Sequence, residues 1–341
     1  MYISKIWKNS WLTNDGELLR ELEQKLEAYL GVKHCVVVSN GTIALQLAIK
    51  ALGIRKEIIT TPYSYVATTN SILWENCNPV FVDINDRNFV IDATLIEKSI
   101  TEKTEAILAT HCYGIPCDTK RINEIASKYN LKVIYDAAHS FKVENNGASI
   151  LNEGNLSTLS FHATKLFHTV EGGAIICHDD VMADKIRLMR SFGHIGDEYY
   201  SLGINGKNSE FHAAMGLSVL PHVQELIEIR KELVNRYNLH LRNVNLFNSA
   251  LYEDYQHNYS YYPFVVESEE KLIDLIQYLN ENSIFPRRYF FPSLNILPHH
   301  KGVSCPVSES ISRRVICLPL HHELLIDQVD TIANLITNRI G

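Results

Sequence analysis

Lys165 stands alone among apolar and small residues, in the stretch Leu159-Ser160-Phe161-His162-Ala163-Thr164-Lys165-Leu166-Phe167-His168-Thr169-Val170-Glu171-Gly172-Gly173. Desolvation lowers an amine's pKa and frees its lone pair, the state a Schiff-base lysine needs. Glu171-Gly172-Gly173 lets backbone pass close to whatever the amine holds. Taken alone, a lysine before a turn reads as a surface residue with a buried stem. Three other stretches change that reading.

In Lys132-Val133-Ile134-Tyr135-Asp136-Ala137-Ala138-His139-Ser140, strand periodicity ends at Asp136, which puts its carboxylate at a strand tip. A carboxylate there needs a cation or several donors. A protonated pyridine nitrogen would serve, and so would the simpler role of capping the next turn. The strand Cys35-Val36-Val37-Val38 runs into Ser39-Asn40-Gly41-Thr42 and then a helix from Ile43. Backbone N–H groups at such a turn form an anion site, although Ser39 or Asn40 could simply be an N-cap. Tyr63 and Tyr65 follow another strand, where a ring can stack on a flat ligand or fill the core. Phosphate-type turn, stacking ring, strand-tip acid and desolvated lysine together suit pyridoxal phosphate. No G-x-G-x-x-G follows the first strand, which argues against a dehydrogenase, and no P-loop occurs. His299-His300 and His321-His322 are adjacent pairs that point apart on a strand, and no H-E-x-x-H or zinc spacing appears. No metal is expected.

The elements that must position these groups alternate. Leu19, Leu22, Leu26 and Tyr29/Leu30 share one helical face, with Gly31 as the cap. Apolar strands are expected near 35–38, 58–60, 79–84, 106–114 (ending in a glycine turn), 132–136 and 174–177, with helices at 43–52, 118–129 and 180–190. Residues 1–16 read as irregular, and 199–209 as polar and glycine-containing. An amphipathic helix over about 221–241 bridges to a small α+β unit, with strands at 261–266, 284–288 and 315–318 and helices at 270–280 and 326–339. The pattern predicts an α/β protein with a mostly parallel sheet and its ligand crevice at one edge. The expected domains are 1–220 and 221–341.

The chain has 341 residues, 46% hydrophobic and 21% charged, with 32 Lys+Arg against 39 Asp+Glu and a net charge of −7. No basic run suggests nucleic acid as a partner. The seven cysteines read as small buried hydrophobes in a reducing cytoplasm, and neither a signal core nor a membrane-length apolar run is seen.

Trp11-Leu12-Thr13-Asn14, Ser39–Leu45, Pro62–Thr68, Asp136-Ala137-Ala138-His139, Ser160–Lys165, Glu171-Gly172-Gly173, Gly203-x-Asn205 and Leu318-Pro319-Leu320 together resemble the DegT-type sugar-nucleotide aminotransferases. The resemblance implies fold type I, a large domain with a mostly parallel seven-stranded sheet flanked by helices plus a small C-terminal α+β domain. It implies that Gly41, Thr42 and Ser160 hold the phosphate, Tyr65 stacks, Asp136 pairs with the ring nitrogen and Lys165 carries the cofactor. Asn205 would reach the cofactor of a neighbouring subunit, giving a homodimer with shared sites. His139 stands where many members carry Gln; it can contact the ring hydroxyl, with its protonation open. Some members replace the lysine by histidine and are dehydratases, a branch that Lys165 argues against. The Ser160–Lys165 and Glu171–Gly173 forms resemble members acting at C4 of a 4-keto-6-deoxy sugar nucleotide. The segment 285–295 is most similar to those making dTDP-4-amino-4,6-dideoxyglucose, a building block for O-antigen or another surface glycan. The implied substrates are L-glutamate and dTDP-4-dehydro-6-deoxyglucose, with Trp11, Thr13, Asn14 and Tyr289 near the nucleotide sugar. C3 amination, a UDP- or GDP-linked sugar, or a non-catalytic cofactor-binding regulatory module are the alternatives.

Overall fold

The computed structural model describes residues 2–247, 255–300 and 303–340. Seven strands form its central sheet: β1 (His34–Val38), β2 (Glu57–Thr60), β3 (Asn78–Phe81), β4 (Thr104–Thr110), β5 (Lys132–Asp136), β6 (Leu156–Ser160) and β7 (Gly173–Cys177). Their order is β1-β7-β6-β5-β4-β2-β3. β7 runs antiparallel to both its neighbours, and the remaining pairings are parallel. The strands read as continuous apolar runs because both faces are covered.

The helices are α1 (Tyr2–Asn9), α2 (Glu17–Leu30), α3 (Gly41–Ala51), α4 (Val66–Trp74), α5 (Ala93–Ile96), α6 (Thr119–Tyr129), α7 (Asp180–Arg190), α8 (Glu210–Val219), α9 (Val223–Leu241), α10 (Glu269–Glu281), α11 (Pro306–Arg314) and α12 (Ile326–Ile340). Alternation along each strand sorts the core. Val36, Val38, Leu108, Ile134 and Ile175 face α3 and α7. Val37, Leu159, Ala174 and Ile176 face α2 and α8. Leu19, Leu22, Leu26 and Leu30 of α2 are fully buried there, each contributing about 1.5–3 kcal/mol before entropy is counted. Gly31 ends α2 at φ 64°, as the helix pattern predicts.

After α9, β8 (Pro263–Val265) pairs antiparallel with β9 (Val315–Cys317), and α10, α11 and α12 pack around them. One cluster joins this part to the sheet: Ile59, Ile107 and Tyr135 share it with Tyr237, Phe264 and Ile316. The Asp83 carboxylate fixes the same junction by accepting from the Val307 and Ser308 amides, at 2.9 Å each, at the start of α11.

Two expectations need correction, and one helix went unforeseen. Residues 2–9 are helical, because Ile6 is buried and Trp7 meets Phe211 edge-on at 5.8 Å. Helix α8 was missed: Phe211 and Met215 stand exposed opposite the buried Ala213, Ala214 and Leu217, so apolar residues lie all round it and no stripe marks it in the sequence. The expected strand at 284–288 reduces to a single bridge, Arg287 to Cys317.

Candidate active site

β6 and β7 are neighbours, with Ser160 paired to Gly173. The intervening loop leaves and re-enters the sheet at one place, sealed by Phe161 N to Gly172 O at 2.8 Å and Thr169 N to Phe161 O at 3.0 Å. Phe161 and Phe167 anchor it, and Phe167 stacks on Phe141 at 4.7 Å. Lys165 is thereby turned over the carboxyl ends of the parallel strands. Its Nζ donates to Tyr261 Oη at 3.1 Å, and Tyr289 Oη donates to the same oxygen at 3.2 Å. Burial lowers the amine's pKa to about 8; Arg287 pushes the same way and Asp136 opposes both.

Asp136 ends β5, buried. Its Oδ2 accepts from Thr68 Oγ1 at 2.7 Å and its Oδ1 from Ala138 N at 3.2 Å. Burial still raises its pKa, and Thr68, Ala138 and Lys165 only temper the rise. A carboxylate so placed is ready for a cation. His139 is buried, and its Nδ1 accepts from Tyr113 N at 3.1 Å. Burial, then the charges of Lys165 and Arg287, hold its pKa well below the ordinary value. The Tyr113 contact leaves Nε2 as the ring's donor position, and burial disfavours the imidazolium.

At the other wall, Asn40 Oδ1 accepts from Ile43 N at 2.9 Å, so Asn40 does cap α3. The Gly41 and Thr42 amides precede the first intrahelical bond, Ala44 N to Asn40 O, and stay available as anion donors. A Cβ on Gly41 would lie 3.0 Å from that of Ser160, so only glycine lets the turn approach the tip of β6. The two tyrosines part company. Tyr63 is core, sharing a 2.8 Å hydrogen bond with Tyr113, whereas Tyr65 is 59% exposed at the start of α4.

Gly41, Thr42, Tyr65, Asp136, His139, Ser160, Lys165 and Tyr289 line one cavity of about 550 Å³. Thr68, Tyr261, Arg287 and Phe290 join this site without having been singled out in the sequence. Thr68 had a signal, since it lies one helical turn beyond Tyr65; the other three come from the C-terminal part and only long-range folding brings them in. Asn205, Trp11, Thr13 and Asn14 do not line this cavity. Asn205 bridges Ser191 and accepts from Lys207 Nζ at 2.9 Å, on an exposed segment. Trp11 borders a separate cavity of about 270 Å³ with Lys5, Arg20 and Glu210. Thr13 and Asn14 are exposed.

The site fits pyridoxal phosphate on its own chemistry: a desolvated amine, a buried acid wanting a cation and free amides at a helix start surround one space. Among the described residues, no three His, Cys, Asp or Glu side chains converge as a metal site would require. No helix of the described residues is long and apolar enough to cross a membrane.

The sequence profile of the DegT/DnrJ/EryC1/StrS aminotransferase family matches residues 1–337. A Shigella dysenteriae protein named dTDP-4-amino-4,6-dideoxy-D-glucose transaminase is 43% identical, over 98% of this chain and 94% of its own. An Escherichia coli protein of the same name is 40% identical, over 99% and 94%. Among solved structures, DesI in the presence of its TDP-sugar product superposes with a TM-score of 0.93 at 27% identity, covering 98% of this chain and 88% of that one. Helicobacter pylori PseC, an aminotransferase of pseudaminic acid biosynthesis, gives 0.93 at 26%, covering 99% and 95%. The chain belongs to the DegT/DnrJ/EryC1/StrS aminotransferase family.

Proposed function

We propose that this member of the DegT/DnrJ/EryC1/StrS family uses pyridoxal phosphate to move the amino group of L-glutamate to C4 of dTDP-4-dehydro-6-deoxy-D-glucose. The product would be dTDP-4-amino-4,6-dideoxy-D-glucose, a precursor for O-antigen, lipopolysaccharide or another surface glycan. The observation that carries this reading is near-full-length identity of 43% and 40% to two transaminases of that name. Relatives named GDP-perosamine synthase reach 28–30% over nearly the whole chain, and one reaches 36% over 69% of it. One named dTDP-3-amino-3,6-dideoxy-alpha-D-galactopyranose transaminase reaches 30%.

Bound in the cavity, pyridoxal phosphate supplies an aldehyde that carries the amino group and a ring that accepts electrons. Gly41, Thr42 and Ser160 would hold its phosphate, and Tyr65 would cover a ring face. Asp136, its carboxylate held ready by Thr68, would pair with the ring nitrogen. His139 would offer its Nε2 proton toward the ring hydroxyl. Lys165 would hold the aldehyde and, as the amine closest to the reacting carbons, would serve as the base and acid for the proton at the donor's Cα and at the sugar's C4. Tyr289 would lie against the sugar.

The enzyme acts as a cytoplasmic homodimer with shared sites, in which Asn205 and the Trp11–Thr13–Asn14 loop serve the neighbouring cavity. Supporting this are the exposed Ile195, Tyr199 and Leu202 beside Asn205, at 69%, 79% and 73%, an apolar surface that a second copy would cover. All seven cysteines are free and buried, in keeping with a reducing compartment. Residues 1–220 form the cofactor-binding domain and 221–341 the small one.

The test is an assay of purified protein with glutamate and a panel of dTDP-, UDP- and GDP-linked 4-keto-6-deoxy sugars. Product NMR showing a C4 amine on the dTDP sugar is expected. Preferential turnover of a GDP sugar, or a C3 amine, would overturn the assignment, and a protein that binds the vitamin without turnover would favour the regulatory alternative.

A further inference from the structure

Four charged side chains border the cavity: Asp136, Glu171, Lys165 and Arg287. Three are engaged. Asp136 lies at the base, bonded to Thr68. Glu171 faces His162 at 3.6 Å. Lys165 bonds to Tyr261 at the reacting centre. The Arg287 guanidinium has no carboxylate partner among the described residues.

It is nevertheless held in place. Arg287 exchanges two backbone hydrogen bonds with Cys317, at 3.0 and 2.8 Å, which fasten it to β9. Its guanidinium lies over the Tyr289 ring, 4.7 Å from the centroid. Tyr289 in turn bonds to Tyr261, which receives the Lys165 amine. Arg287 thus sits two side chains from Nζ, close enough that its charge depresses the pKa of both Lys165 and His139. A preorganised, unpaired guanidinium at the mouth of a reaction cavity is built to receive a planar anion through two parallel hydrogen bonds.

Both proposed substrates are anions, and the geometry separates them. An amino acid's α-carboxylate is bonded directly to the carbon that loses its proton. The diphosphate of a nucleotide sugar is removed from C4 by several bonds of the ring and the glycosidic oxygen. We propose that Arg287 is the anchor for the α-carboxylate of the amino donor. The inference rests on the aminotransferase reading above and adds the residue that selects an α-amino acid as donor.

The two half-reactions can be measured apart on holoenzyme by rapid mixing. Arg287→Ala is expected to weaken the apparent affinity for glutamate about 100-fold, as the loss of a charge-assisted pair does. Arg287→Lys should recover part of it. The second half-reaction, amino-form enzyme with the 4-keto sugar nucleotide, should change less than about threefold. Calorimetry with glutarate, an unreactive dicarboxylate, gives an independent readout; its binding to the resting enzyme should weaken in step. A loss confined to the sugar half-reaction would reassign Arg287 to the diphosphate. Equal losses in both, or unchanged glutamate affinity in Arg287→Ala, would overturn the proposal as well. An unsubstituted enzyme that ignores glutamate but accepts another α-amino acid would sink the choice of donor while leaving Arg287 testable with that acid.

Discussion

The amine of Lys165 and the phenol of Tyr261 meet at 3.1 Å, although 96 residues separate them in the chain. Tyr261 Oη accepts from Lys165 and from Tyr289 together, which fixes the phenol's orientation. It gives the lysine a resting point whenever it is not covalently engaged. Tyr261→Phe keeps the ring and removes the perch. Its half-reaction with glutamate should slow about 10–100-fold, the ordinary worth of a hydrogen bond to a charged group. Because the lost acceptor favours the ammonium, the acid limb of the pH profile should also move to lower pH. An unchanged rate and profile would show that the contact only fills space.

Lys165 should titrate far below the other lysines. In cofactor-free enzyme, acylation at this amine should show a midpoint near pH 8 rather than 10.5. The sign for stability follows from the lowered value: below about pH 8 the folded state must hold a poorly solvated ammonium that the unfolded chain solvates freely. Lys165→Met should therefore stabilise the cofactor-free protein at pH 7. That gain should shrink between 8 and 10.5 and vanish above, as thermal melts across that range would show.

Asp136 depends on Thr68. Asp136→Asn should cut the rate about 10²–10³-fold, since the amide cannot stabilise a proton on the ring nitrogen. Thr68→Val removes the bond that best restrains the raised pKa of the acid. Protonation of Asp136 should then begin at higher pH, and the acid-side loss of activity should move upward by a measurable fraction of a unit. A profile that superposes on the unsubstituted one would refute this coupling.

His139 should not titrate in the neutral range. Nitrogen-15 NMR of the ring should show the Nε2–H tautomer from pH 8 down to 5, because Nδ1 is occupied by the Tyr113 amide and burial opposes the imidazolium. A midpoint near 6.5 would contradict the geometry.

Glu210 offers a prediction about stability alone. Its buried carboxylate accepts from Leu18 N at 2.8 Å and Leu19 N at 3.0 Å, capping α2 from a helix 192 residues away. Glu210→Ala should cost about 1–3 kcal/mol, read from denaturant midpoints, because two buried amides lose their acceptor.

The groups that surround the cavity from the first 165 residues were legible because each lies at, or a few residues beyond, the end of a short apolar strand, where period and turn chemistry coincide. Lys165, Asp136 and the turn at 39–42 announce themselves in this way. Arg287, Tyr261 and Phe290 do not: they reach the cavity through packing of β8 and β9 against the sheet, which no local pattern encodes. The helix at 2–9 escaped for a related reason: it is only eight residues long, and it is held through Ile6 and Trp7 by α8, which lies 200 residues on. Trp11, Thr13, Asn14 and Asn205 were placed by resemblance, and within one chain they stand outside the cavity.

The lone reversed strand, β7, gives the lysine its setting. Had the chain crossed over to another parallel neighbour, as between β4 and β5, residue 165 would have been carried away along a helix to the far rim. By turning straight back, the polypeptide makes a short tether whose two ends are one strand spacing apart, fastened at Ser160 and Gly173. The reach of the amine is then governed by the number of residues in that tether and by little else. Adding or deleting one residue there should shift the nucleophile relative to a sheet that stays put, so this interval tolerates sequence change far better than change in length.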